Sequence, residues 1–127
     1  MRVNELRLGN YVDFDGLSFT IKCISNNFIE ADRGRGKVRF SINDLKPIPI
    51  TEQWLLRLGF EKEKEQDKLL ATYFYHKNNI SRVEFSDKHG NLYWHDNYSS
   101  IYHKEIKYVH QLQNIYFALI GEELEIK

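Results

Sequence analysis

The chain has 127 residues, 42% of them hydrophobic and 14% aromatic, which is long and apolar enough for a folded domain with a core. Its 18 lysines and arginines equal its 18 aspartates and glutamates, and this balance argues against a dedicated nucleic-acid binder and against an acidic DNA mimic. The single cysteine excludes an internal disulfide, and no apolar run approaches the roughly 20 residues that span a bilayer. With no basic and apolar leader after Met1, we expect a cytoplasmic protein with no membrane partner.

Residues 1–50 have the pattern of short strands and form the first predicted lobe. Apolar and polar residues alternate, and turn signals separate the runs at Asp15-Gly16, Asn26-Asn27 and Gly34-Arg35-Gly36. We predict four or five strands that curl into a small SH3-like β-barrel. Lys46–Ile50 contains two prolines, which lack a backbone donor, and is therefore predicted to be an extended connector.

Residues 51–127 form the second predicted lobe, a helix followed by an antiparallel β-meander and a C-terminal helix. Thr51 is a good N-cap for a helix over Glu52–Leu58, and Gly59 is a typical stop. Three runs rich in tyrosine, phenylalanine, valine and tryptophan predict strands at Leu69–His76, Ser81–Ser86 and Leu92–His103. The two helices should cover one face of the meander, which makes the chain an α+β protein. The pattern leaves open whether the two lobes share one core.

The C-terminal helix is the most periodic segment and is predicted over Lys107–Ile120. Its apolar residues recur at steps of three and four and predict a buried stripe of Val109, Leu112, Tyr116 and Leu119, widened by Ile115 and Ile120. Gly121 should end the helix in a left-handed conformation, and Leu124 should fold back on the last turn.

A basic run is the first candidate site. Arg33, Arg35, Lys37 and Arg39 alternate with glycine or valine, so in a strand or hairpin they should project from one face. The neighbouring glycines would allow a phosphate to approach the backbone, which suggests a nucleic-acid or phosphate edge. The alternative is an exposed hairpin tip whose charges keep an edge strand soluble, with Glu30 and Asp32 nearby as counter-charges.

Aromatic residues of the meander are the second candidate. One parity of the strands should face the core, so Tyr73, Tyr75 and Tyr93 could lie on the open face and stack on a base or a peptide. The alternative is ordinary cross-strand aromatic packing.

We predict neither a metal or other cofactor nor a catalytic centre. His76, His95 and His103 fall on strand-like runs but lack the close paired spacing of a zinc motif. Asp96 follows His95 directly, and neighbours on a strand point to opposite faces. The sequence therefore favours a protein that is not an enzyme.

Three segments resemble a family of small uncharacterised proteins from gut anaerobes and their phages and mobile elements. They are residues 6–12 (LRLGNYV), 47–60 (PIPITEQWLLRLGF) and 106–124 (IKYVHQLQNIYFALIGEEL). The resemblance implies an accessory protein of a phage or mobile element, and no activity, cofactor or catalytic residue is carried over from it. Together with the absence of a catalytic set, it leads us to expect a binding module that recognises a host protein. The alternative is a nucleic-acid or nucleotide binder that uses the basic run and the exposed tyrosines.

Overall fold

The computed structural model is an α+β protein with two antiparallel sheets and two helices, and it describes residues 1–63, 72–76, 82–86, 91–95 and 105–126. The first sheet contains β1 (Tyr11–Phe14), β2 (Leu17–Ile24), β3 (Ile29–Asp32) and β4 (Lys37–Phe40). Helix α1 (Glu52–Arg57) precedes the second sheet, which contains β5 (Phe60–Lys62), β6 (Thr72–His76), β7 (Arg82–Ser86), β8 (Asn91–His95) and β9 (Glu105–Ile106). Helix α2 (Val109–Ile120) follows. These elements confirm the predicted α+β class.

The first sheet has the strand order β1-β2-β3-β4, with each strand antiparallel to the next. Alternation of side chains places one parity of β2 and β3 in a common core, whereas in β4 only Phe40 is buried and Val38, of the same parity, is exposed. The core of this sheet contains Leu6, Val12, Phe19, Ile21, Ile29, Ala31, Phe40 and Leu45. Phe40 packs against Phe14 and Phe19 with ring centroids 4.8 and 5.1 Å apart, which links the last strand to the first two.

The first sheet is not closed, so the predicted SH3-like barrel is not confirmed. Within residues 1–63, β4 pairs only with β3, and the chain then turns through a 3₁₀ helix at Ile42–Asp44. The returning segment forms only an isolated bridge between Asp13 and Lys46. A single bridge does not make a fifth strand, although the segment is extended as the two prolines predicted.

The second sheet has the order β5-β6-β7-β8-β9 and is an antiparallel meander, as predicted. One parity of its strands is buried: Phe74, Val83, Phe85, Leu92 and Trp94. Helix α1 begins as expected, with the Thr51 hydroxyl accepting a hydrogen bond from the Trp54 N–H at 3.2 Å. It ends one residue before the prediction, and Gly59 follows with φ +96°. The predicted strand ends at residues 69–71, 81 and 96–103 lie outside the described residues.

Helix α2 begins two residues later than predicted and ends as predicted, with Gly121 in the left-handed conformation. Val109, Leu112 and Tyr116 are buried, and Leu124 is buried after folding back. The prediction was wrong for Leu119, which is 56% exposed, whereas Ile115 and Ile120 are half-buried. Two polar residues occupy the buried face instead, His110 and Gln113.

The chain divides into two compact units that differ from the predicted lobes. One unit contains residues 1–48 and 108–124, and the other contains residues 49–107 and 125–127. Helix α2 thus groups with the N-terminal sheet and not with the meander, because Gln113 and Asn114 bond to residues that precede and begin β1. In the described part of the chain, no helix is long and apolar enough to cross a membrane.

Candidate binding surface on strand β4

Strand β4 is the last strand of the first sheet, and its outer side is open to solvent. Lys37, Val38 and Arg39 are exposed, whereas Phe40 is buried in the core. Among the described residues, no backbone hydrogen bond reaches β4 from an element other than β3. An edge strand keeps every second N–H and C=O directed away from its partner, so β4 offers unpaired backbone groups.

The opposite edge of the same sheet is occupied. The backbones of Asp13 and Lys46 exchange two hydrogen bonds of 2.8 Å, which cover the outer side of β1. The Tyr11 N–H donates to the Gln113 Oε1 at 2.9 Å, so helix α2 takes up a further donor of that strand. Within residues 1–63, the open edge of the first sheet is therefore β4.

The backbone of the loop between β3 and β4 donates hydrogen bonds to the carboxylate of Asp32, the last residue of β3. Asp32 Oδ1 accepts the N–H groups of Gly34 at 2.6 Å and Arg35 at 3.2 Å, and Gly34 and Gly36 both have φ +100°. The hydrogen bond from Gly34 is the main cause that lowers the pKa of Asp32, with further bonds from Arg35 and Gly36 in the same direction. The backbone donors expected to hold a phosphate are thus already directed at Asp32.

The four cations of the predicted site differ in their side-chain contacts. Arg39 is held against the sheet, with its Nε 3.6 Å from the Glu30 carboxylate and its guanidinium 4.1 Å from the centre of the Phe28 ring. Arg33, Arg35 and Lys37 are exposed, and their side chains form no ion pair or hydrogen bond within the described part of the chain. Of the four cations that were predicted to project from one face, Lys37 and Arg39 lie on one face of β4, opposite Asp32 and Glu30, whereas Arg33 and Arg35 lie in the loop before the strand.

The predicted tyrosine site belongs to the other unit of the chain. Tyr75 is 37% exposed and its hydroxyl donates to the Glu61 carboxylate at 2.8 Å, whereas Tyr93 is half-buried. Tyr93 pairs in register with Glu84 and Glu105, so carboxylates lie beside both tyrosines. The side chain of Tyr73 lies outside the described part of the structure. Tyr75 also pairs in register with Arg82, so the strand positions beside the tyrosines carry charges of both signs.

The histidines do not form a described metal site. His76 is buried and packs edge-on against Phe60, with ring centroids 5.2 Å apart. The side chain of His95 and the whole of His103 lie outside the described residues. Among the residues that the structure describes, no group of three or more histidine, cysteine, aspartate or glutamate side chains is placed to hold a metal ion. His76 is a core residue.

A buried polar cluster was missed by the sequence analysis. Asn10 and Gln113 are buried, and the Asn10 Nδ2 donates to the Gln113 Oε1 at 3.5 Å. Gln113 also bonds to backbone atoms of Gly9, Tyr11 and Leu124. The signal was present, since Gln113 is four residues after Val109 and three before Tyr116, on the buried stripe. A polar residue at such a position has to find partners in the interior.

No known family model, curated protein or solved structure matches this chain. Function is therefore inferred from the geometry of the described residues.

Proposed function

We propose that the chain is a non-enzymatic binding protein that recognises a protein partner, and that it acts in the cytoplasm. The open edge of β4 carries this proposal, because its exposed residues combine unpaired backbone groups with the apolar Val38, which is 46% exposed between two cations. Unpaired strand edges are a common site of protein recognition. A nucleic acid cannot complete the backbone ladder of a strand, whereas a second polypeptide can.

The alternative, a nucleic-acid or nucleotide binder, is less well supported by the site. The backbone donors of the loop are directed at Asp32, and Arg39 is directed at Glu30 and Phe28. Carboxylates also lie beside Tyr75 and Tyr93. A phosphate at the loop would have to displace Asp32 from its backbone donors.

We also propose that the partner is a host protein and that the chain is an accessory protein of a phage or mobile element. This part of the proposal depends on the resemblance of residues 6–12, 47–60 and 106–124 to such proteins. The N-terminal sheet would act as an SH3-like recognition module. The strand order β1-β2-β3-β4 and the 3₁₀ turn at Ile42–Asp44 support that classification, although the sheet is not closed.

A capture experiment tests the proposed function. The tagged protein is incubated with nuclease-treated and untreated extracts of a gut anaerobe, and bound protein and bound nucleic acid are both quantified. We expect one protein to be retained at a fixed ratio to the bait in both extracts. If nucleic acid is retained instead, and the logarithm of its binding constant falls linearly with the logarithm of the salt concentration, the alternative function replaces this proposal.

A charge-reversed variant makes the comparison sharper. Arg33→Glu, Arg35→Glu and Lys37→Glu together change the three cations that have no side-chain partner within the described part of the chain, and leave the contacts of Arg39 in place. Nucleic-acid binding through the loop should be abolished in this variant while its melting temperature is unchanged. Nucleic-acid binding that survives the change would exclude the loop as its site.

A further inference from the structure

We propose that the outer edge of β4 receives an extended acidic segment of the partner, which adds to the first sheet as a new strand. This inference rests on the proposed function, since it names the site and the chemical class of the partner segment. Strand addition uses backbone hydrogen bonds for affinity and alternate side chains for specificity. Each of these contributions has a counterpart in the described residues.

The backbone contribution comes from the contrast between the two edges of the sheet. At β1 the bridge to Lys46 and the Gln113 side chain take up outward groups, whereas at β4 only β3 is paired. The four residues of β4 are in register with β3 along their whole length, so their outward groups lie in one regular row. A segment in extended conformation can pair with that row without rearrangement of the sheet.

The charges around β4 determine whether the partner segment should be acidic or basic. Arg33, Arg35 and Lys37 are exposed cations without ion-pair partners in the described part of the chain, and they lie at the start of β4 and in the loop before it. The nearby carboxylates of Glu30 and Asp32 are directed at Arg39 and at the loop backbone. A basic segment would meet uncompensated like charges, whereas an acidic one would neutralise them.

The side chains of β4 also predict the pattern of the segment. Lys37 and Arg39 share one face of the sheet, and the exposed Val38 lies on the other face with the buried Phe40. Residues paired side by side in a sheet share a face. The segment should therefore place a carboxylate side chain opposite Lys37, which has no ion pair within the described part of the chain, and an apolar side chain opposite Val38.

Three synthetic peptides test the strand addition. The probe alternates glutamate with valine and is long enough to lie along β4, a second peptide has lysine in place of glutamate, and a third is the probe with alternate amides N-methylated. Binding is followed by amide hydrogen exchange of Lys37–Phe40. We expect the probe alone to bind and to slow the exchange of every second amide in β4.

Each other outcome would overturn the inference. Equal binding of the N-methylated probe would mean surface attraction without a backbone ladder. Preference for the lysine peptide would contradict the sign of the segment, and failure of all three to bind would exclude β4 as a docking edge.

Two single charge reversals form a matched pair for this test. Lys37 and Lys46 are both exposed, and they lie at opposite edges of the same sheet. Lys37→Glu should weaken binding of the probe about fivefold, the ratio that corresponds to an ion pair of about 1 kcal/mol, whereas Lys46→Glu should leave it unchanged. Equal effects of both substitutions would point to net charge and not to the β4 edge.

The same pair separates the two proposals when it is used as bait in the capture experiment. A host protein that is retained by the wild type and by Lys46→Glu, and lost with Lys37→Glu, supports both. A protein retained equally by all three leaves the proposed function in place and removes β4 as its site. If the wild type retains no protein, the proposed function fails, whatever the peptides show.

Discussion

At the scale of single residues, Gln113 connects helix α2 to the rest of its unit. Its Oε1 accepts the Tyr11 N–H at 2.9 Å, and its Nε2 donates to the carbonyl oxygens of Gly9 at 2.9 Å and Leu124 at 3.1 Å. The side chain is buried, so water does not compete for these groups. One amide therefore satisfies three backbone groups in two separate segments, residues 9–11 and Leu124, and its loss would remove a buried partner from each of them.

We expect Gln113→Met to destabilise the protein by about 2–4 kcal/mol, because a side chain of similar length would leave buried backbone groups without partners. Gln111→Met in the same helix is the comparison, since its described hydrogen bond is a cap to the Tyr108 N–H and its loss should cost about 1 kcal/mol. Urea unfolding of both variants measures the difference. Equal losses would show that the buried amide network is not stabilising.

His110 is the other buried polar residue of α2. Neither ring nitrogen has a hydrogen-bond partner among the described residues, and the ring stacks on Tyr108 at 5.9 Å between centroids. Burial is the main cause that lowers the pKa of His110, and the N-terminal amine acts in the same direction. The Glu5 carboxylate acts in the opposite direction.

This lowered pKa predicts a pH dependence of stability. In the unfolded chain His110 takes up a proton as the pH falls through about 6.5, whereas the folded protein resists protonation until a lower pH. The stability present above pH 6.5 should therefore be lost on acidification, by at most about 1.4 kcal/mol per pH unit for one proton. The free energy of unfolding, measured with urea at several pH values between 7 and 5, should fall less steeply with decreasing pH for His110→Phe than for the wild type. If the free energy of unfolding has the same pH dependence in both proteins, His110 has the same pKa in the folded and the unfolded chain.

At the scale of secondary structure, the periodicity of α2 predicted its position but not the full width of its buried face. Steps of three and four correctly identified Val109, Leu112 and Tyr116, because these contacts are local to one helix. Leu119 has the same spacing, yet it lies in the last turn, where the neighbouring elements no longer cover the helix. How far along the helix its apolar face is buried depends on where the neighbouring elements end, and the periodicity of one helix carries no information about them.

The same lysine substitution at two leucines of α2 distinguishes the buried and open parts of the stripe. Leu112 is fully buried and Leu119 is 56% exposed. Leu112→Lys should cost about 3 kcal/mol or more, because a charge without a partner would enter the core. Leu119→Lys should change stability by less than about 0.5 kcal/mol, since the cation remains in water near a helix C-terminus. Thermal unfolding of the two variants checks the contrast, and similar melting temperatures would contradict it.

The β4 hairpin shows how far sequence reasoning reaches at a candidate site. The alternation of residues 33–39 predicted the shared face of Lys37 and Arg39, because the period of a strand is a local property. Glu30 and Asp32 were expected as counter-charges, but the sequence did not predict which cation Glu30 would pair with, because that depends on the register between β3 and β4. It also treated the loop glycines as open to phosphate, because the position of the Asp32 carboxylate follows from the turn geometry.

At the scale of the whole molecule, the unit that contains the first sheet is formed from two separated parts of the chain. Residues 1–48 and 108–124 belong together, with residues 49–107 inserted between them. The Val109 N–H donates to the Ile48 carbonyl at 2.9 Å, so the two parts are adjacent where the insertion begins and ends. One boundary between the units falls in the proline-rich connector, where composition changes. The return of residues 108–124 to the first unit depends on contacts between distant segments, which are not visible in composition.

Because its two ends are adjacent, this unit should fold without the insertion. We expect a chain in which residues 49–107 are replaced by a Gly-Ser linker of about four residues to unfold cooperatively and to retain the backbone chemical shifts of β1–β4. Residues 1–50 alone are the control and should melt at a lower temperature, because the Tyr11 N–H and the Gly9 carbonyl both lose Gln113. If the shortened chain loses the shifts of β1–β4, or melts no higher than residues 1–50, then α2 does not stabilise the first sheet.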